Sequence, residues 1–127
     1  PMYNHPMSPE ERKQLDEQGF ALLPGFMSAE LLAELRENLD RLYAEEGDRA
    51  GSEFKKEPQT QRLANVVDKG PVFRRIVAMP EILEYVGTVI PGRFKLSSLN
   101  ARSPQPQSDW VQPLHVDSGQ LPDDKGN

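Results

Sequence analysis

The chain has 127 residues, 36% of them hydrophobic and 28% charged, with 20 acidic against 15 basic side chains and a formal net charge of −5. That length fits a single domain, the apolar fraction is too large for a disordered chain, and an acidic chain without a basic stripe argues against nucleic acid as a partner. Having no cysteine, the chain cannot hold a disulfide, a thiol nucleophile or a cysteine-ligated zinc; no stretch approaches the ~20 apolar residues of a membrane span, Pro1 to Lys13 lacks the apolar core of a secretory signal, and a cytoplasmic location is the expectation.

The first helix signal is Ser8-Pro9-Glu10-Glu11. Serine caps, proline suits the first helical position, and Glu11 stands where a capping box needs it. This predicts a helix to about Gln18, stopped by Gly19. Phe20 to Pro24, between Gly19 and Gly25, reads as a short strand ended by proline. A second helix opens at Ser28. Leu31, Leu32, Leu35, Leu39, Leu42 and Tyr43 recur at spacings of three and four and share one face, and Gly47 is the stop. Gly47 to Gln61 is polar and reads as a loop.

Arg62 to Val67 reads as a strand. Pro71 to Met79 and Glu81 to Ile90 read as two short helices divided by Pro80 and ended by Pro91-Gly92. Phe94 to Asn100 is a further strand. Of 12 prolines, Pro91, Pro104, Pro106, Pro113 and Pro122 crowd the C-terminal third, which is therefore strand and loop rather than helix. Helices come first and extended segments afterwards, so the fold class is α+β.

The informative residues are His115-Val116-Asp117. In an extended backbone, residues i and i+2 point to the same side. An imidazole and a carboxylate so placed supply two thirds of a 2-His-1-carboxylate facial triad, the arrangement that leaves open positions on non-haem Fe(II). An aspartate follows a histidine at this distance by chance about one time in twenty. The tripeptide alone therefore leaves open a surface histidine beside a turn aspartate. The other histidine, His5, lies in a polar, proline-flanked terminus and reads as exposed. A lone tryptophan, Trp110, suits a pocket wall or partial core.

The order of segments adds to this. Gly19-Phe20-Ala21-Leu22-Leu23-Pro24-Gly25-Phe26 precedes a long amphipathic helix. Met79-Pro80-Glu81-Ile82-Leu83, Phe94-Lys95-Leu96-Ser97-Ser98-Leu99-Asn100 and then His115-Val116-Asp117 follow. From about Gly19 to the end, the chain resembles the N-terminal half of the phytanoyl-CoA dioxygenase-like family of Fe(II)/2-oxoglutarate oxygenases.

The resemblance implies N-terminal helices leading into a double-stranded β-helix (a jelly roll, cupin-like), incomplete within this chain. It divides residues 1–127, one domain, into an N-terminal helix and tail (1–18), a helical support region (19–92) and the first barrel strands with the His-x-Asp (93–127). It also implies a dioxygenase that uses Fe(II), O2 and 2-oxoglutarate to hydroxylate a small organic substrate. His115 and Asp117 match the two proximal iron ligands. Asn100 matches a polar position that contacts 2-oxoglutarate in some members, and Arg62 falls where others carry a basic residue near the cosubstrate.

The family's second iron histidine and its 2-oxoglutarate-binding arginine lie further along the chain than Asn127. The expectation is a partial polypeptide that is inactive alone. Other readings stand beside these. Arg62 could be a solvated strand end and Asn100 a turn closure. The whole could be a non-catalytic binding or scaffold module with an accidental His-x-Asp, or a metal hydrolase. Placement of Gln112 to Gly119 in extended form beside Phe94–Asn100 would favour the oxygenase.

Overall fold

The computed structural model describes residues 6–107, 109 and 111–115, and these form an α+β arrangement of four helices and one two-stranded antiparallel sheet. Helix α1 spans Pro9–Gln18. The Ser8 hydroxyl accepts from the Glu11 amide at 3.2 Å, and the Glu11 carboxylate accepts from the Ser8 amide at 2.8 Å. Two otherwise orphaned donors are satisfied this way. At the other end, Gly19 takes the left-handed conformation (φ 78°) that closes the helix.

Phe20 to Pro24 forms no strand; it runs irregularly into a turn closed by the Phe26 amide on the Leu23 carbonyl at 3.2 Å. The local pattern suited a strand, but no partner lies alongside among the described residues, and Leu22 stays 70% exposed. Helix α2, Ala29–Glu46, is capped by the Ser28 hydroxyl, which accepts from the Leu31 amide at 3.1 Å. Most of its apolar stripe turns inward as the spacing predicts, whereas Leu32, at the stripe's edge, stays exposed. Leu35 and Leu42 are buried, and Leu31, Leu39 and Tyr43 pack beside them.

A 3-10 turn (Gly47–Arg49) and an irregular stretch lead to strand β1, Thr60–Leu63. The expected strand Arg62–Val67 thus begins earlier and ends earlier. Asn65 adopts a left-handed conformation (φ 52°), and Val66–Asp68 forms a second 3-10 turn. Helices α3 (Pro71–Val77) and α4 (Pro80–Val89) follow, each with proline in its first turn where a missing N–H costs nothing.

Strand β2 is Ala101–Pro104, so pairing begins just after the expected Phe94–Asn100 segment. It runs antiparallel to β1, with Thr60 opposite Pro104, Gln61 opposite Ser103, Arg62 opposite Arg102 and Leu63 opposite Ala101. Single bonds extend the ladder at both ends: the Gln105 amide donates to the Gln59 carbonyl at 2.8 Å, and the Val66 amide to the Leu99 carbonyl at 2.9 Å.

The core lies between α2, α3 and one face of this hairpin. Leu35, Leu42, Leu63, Val66, Val72 and Phe73 form it, with Leu63, Val72 and Phe73 almost wholly sealed from solvent. Ion pairs Lys69–Glu46 and Arg75–Glu34 tie α2 to the α3 region at its rim. The Tyr43 hydroxyl donates to the Gln61 carbonyl at 3.4 Å, and burial under the hairpin raises its pKa above the ordinary value. No helix among the described residues is long and apolar enough to cross a membrane.

Candidate functional site

Side chains alternate across a strand, so the hairpin has two faces. Leu63 and Ala101, opposite one another, belong to the core face. Arg62 and Arg102, the neighbouring pair, therefore share the other face. Asn100 precedes Arg102 by two residues in the extended run into β2 and falls on that same side. Two of the residues singled out from the sequence, Arg62 and Asn100, thus belong to one polar face pointing away from α2.

Two arginines directly opposite in an antiparallel pair repel each other. Glu57 resolves the conflict. One of its carboxylate oxygens accepts from Arg62 Nη1 at 2.9 Å and the other from Arg102 Nε at 2.8 Å. Its side chain is only 14% exposed, so these charge-assisted bonds are partly shielded from water and outweigh an ordinary surface pair.

Phe54 lays its ring under the Arg62 guanidinium, with Cζ 3.8 Å from the ring centroid. Gly51 (φ 72°) brings its backbone against the same residue so closely that a Cβ there would sit 2.7 Å from Arg62 Cβ and 2.9 Å from its carbonyl oxygen. Arg62 Nε is buried with no acceptor among the described residues. Arg62 is therefore not a solvated strand end; it is enclosed from three sides.

Asn100 links the end of β1 to the run into β2. Its Oδ1 accepts from the Asn65 amide at 3.0 Å, and its Nδ2 donates to Ser98 Oγ at 3.3 Å. These bonds hold the left-handed Asn65 where the chain leaves β1. Asn100 remains exposed.

His115 is exposed, and its Nδ1 lies 2.8 Å from the Pro113 carbonyl oxygen. A carbonyl only accepts, so Nδ1 carries the proton, and a neutral ring then has its lone pair on Nε2. Metal-binding histidines are commonly oriented in this way. The ring lines a recess of about 280 Å³ together with Lys55, Lys56, Glu57, Gln112 and Pro113. The segment before His115 is thus set against residues 55–57. A second recess, about 480 Å³, adjoins along Lys56 to Gln61 and Gln105.

Glu57 connects these parts: it holds Arg62 and Arg102 and also lines the recess with His115. In the sequence, Gly51, Phe54 and Glu57 fall in an undifferentiated polar loop, and nothing marks Arg102. The only available signal was an acidic residue shortly before an arginine-bearing strand, and it acquires meaning only once the register is known.

Asp117, Trp110 and His5 lie outside the described residues. Among the described residues, no group of three His, Cys, Asp or Glu side chains could hold a metal ion. Of the expected ligand pair, His115 has the donor chemistry that a borderline divalent metal requires.

Comparison with known proteins adds one finding: the family model for phytanoyl-CoA dioxygenase (PhyH) matches residues 15–127. No curated protein and no solved structure matches the chain.

Proposed function

The chain belongs to the phytanoyl-CoA dioxygenase family, and from that premise we propose that it contributes the proximal iron ligands of a non-haem Fe(II)- and 2-oxoglutarate-dependent dioxygenase that hydroxylates a small organic molecule. The observation that carries this reading is the family match, which runs from the end of α1 through α2, α3, α4, the hairpin and the His-x-Asp segment. The donor state of His115 supports it. The match gives no support to the alternative of a binding or scaffold module.

On this reading residues 1–18 are an N-terminal helix and tail, 19–92 a helical support, and 93–127 the first part of a jelly-roll barrel. The β1–β2 hairpin suits such a role. Its apolar face is sealed by α2 and α3, and its polar face is left for a site.

His115 would bind iron through Nε2, with Nδ1 fixed on Pro113 so that the ring keeps its orientation. Asp117 would add a carboxylate that offsets part of the metal's charge. Bound iron with 2-oxoglutarate supplies the activation of O2, at the expense of cosubstrate decarboxylation to succinate. Asn100 lies on the polar face of the hairpin, where its amide could turn toward the cosubstrate by giving up its weaker bond to Ser98. Arg62 has its Nη1 engaged and its Nε covered, and it receives a different role below.

Metal affinity tests the reading without any knowledge of the substrate. Fe(II) titrated anaerobically into the protein should bind, and His115→Gln and Asp117→Asn should each weaken binding at least about tenfold, since losing a ligand costs no less than losing the partner that orients one. Unchanged affinity in both variants would refute the assignment.

A further inference from the structure

We propose that Arg62 is a positioning residue for the site at His115: it gathers residues 51–57 into the wall that faces His115, and it acts through that wall rather than by touching cosubstrate or metal. This rests on the reading of His115 as part of the functional site.

Between the 3-10 turn ending at Arg49 and the start of β1 at Thr60, the chain has no regular structure of its own. Its local bonds are turn closures, Ser52 amide to Arg49 carbonyl and Phe54 amide to Gly51 carbonyl, both 3.0 Å. Its ends are anchored, Ala50 against the core and the Gln59 carbonyl by the Gln105 amide, but turn closures alone would leave the stretch between them much of its conformational entropy. It is ordered by what it touches.

Three of its residues converge on Arg62: Gly51 by backbone contact, Phe54 by its ring and Glu57 by its carboxylate. Arg62 itself sits in the paired strand next to the sealed Leu63 and is the rigid member of the set. The three contacts use different properties of arginine. A planar fork reaches Glu57 while its flat face rests on Phe54, and an ammonium group offers neither geometry.

The same packing separates this role from ligand binding. Arg62 Nε is covered by protein atoms and Nη1 is taken by Glu57, so the two-pronged edge that these nitrogens form is not offered to a ligand carboxylate. Leaving that donor buried and unpaired costs stability. The cost is consistent with a side chain placed for the contacts around it. Glu57 then transmits the placement, because it also lines the recess of His115.

The test compares amide spectra of the isotope-labelled wild type, Arg62→Lys and Glu57→Gln, all without metal. Arg62→Lys keeps the charge and removes the fork; Glu57→Gln weakens the link from the other end and leaves the Arg62 side chain itself intact, and shifts at Arg102, its second partner, are expected in that variant. The expected result is that cross-peaks of Phe54, Lys55, Lys56 and Glu57 shift together with that of His115 in both variants. Cross-peaks of the α2 and α3 core should stay in place.

Loop shifts with His115 unmoved would overturn the proposal, and so would shifts spread equally through the core. Paramagnetic Mn(II) then separates this inference from the metal reading. Broadening of the Lys55–Glu57 amides in wild type that is lost in Arg62→Lys supports the positioning role, and equal broadening in both overturns it. If Mn(II) leaves residues 112–115 sharp, the metal assignment fails, and the metal-free shifts alone decide the role of Arg62.

Discussion

Gly51 and Gly19 form a matched pair that isolates the close approach at Arg62. Both have positive φ, 72° and 78°, but a Cβ at Gly19 meets nothing within 4 Å, whereas one at Gly51 meets Arg62 Cβ at 2.7 Å and its carbonyl oxygen at 2.9 Å. The left-handed conformation costs an L-residue about 1–2 kcal/mol, and the stiffer unfolded chain of an alanine variant offsets roughly 0.4–1 kcal/mol of that. Gly19→Ala should therefore destabilise by about 1 kcal/mol, once the two effects are netted.

Gly51→Ala carries the same backbone cost and an overlap with atoms that belong to a paired strand and cannot swing aside. Forcing extra volume into a packed place costs about 1–3 kcal/mol. The difference between the two variants should therefore be about 1–3 kcal/mol. Urea unfolding measures it. With a slope of about 1–3 kcal/mol per molar, the midpoints should separate by roughly 1 M at unchanged slope. Equal midpoints would show that the loop does not press against Arg62, and the enclosure of that side chain would have to be abandoned.

Two further predictions follow from the core and from α4. Phe73→Ala, at a side chain only 2% exposed, should cost about 3–5 kcal/mol in the same unfolding assay, and a loss under about 1 kcal/mol would mean that Phe73 is not central to the core. Tyr85 donates to Glu11 at 2.6 Å, and its pKa is pushed up to about 12 from 10.0, first by burial, then by the hydrogen bond to Glu11 and the charges of Glu11 and Glu84. Its folded pKa exceeds the unfolded one, so the stabilisation is fully present below pH 10.0 and is lost as pH rises toward about 12. The stability difference between wild type and Tyr85→Phe, measured by chemical unfolding at stepped pH, should shrink across that window and be flat below it.

How much of this was legible in the sequence differs by element for physical reasons. The stripe of α2 is a local property: leucines at helical spacing and a serine cap specify the helix and its buried face within one segment. The capping box of α1 is equally local. Strands are not. Phe20–Pro24 has the composition of a strand, but a strand exists only beside a partner. Arg62–Val67 and Phe94–Asn100 lie close to the true strands, yet both boundaries depend on a pairing across about 40 residues of chain, from Leu63 to Ala101.

The site divides along the same line. The His-x-Asp tripeptide is contiguous and stands out in the sequence. The cluster of Gly51, Phe54, Glu57, Arg62 and Arg102 comes together only through the hairpin register and a loop closure. Asn100 is open from sequence to a turn role or a ligand contact, and its bond to Asn65 depends on a neighbour 35 residues away that no local pattern announces.

Helix α1 fully buries none of its residues, and polar links join it and the residues just before it to α4: the Glu11 carboxylate accepts from the Tyr85 hydroxyl, and the Met7 amide donates to Glu84 at 3.5 Å. Detaching it would uncover half-buried side chains such as Leu15 but would leave the leucine and phenylalanine interior sealed. The leading helix is in effect a clasp fastened by acid groups rather than a member of the hydrophobic assembly. Such charged and polar links weaken with ionic strength, and a helix that stands outside the core is the kind of element that opens before the remainder of the molecule.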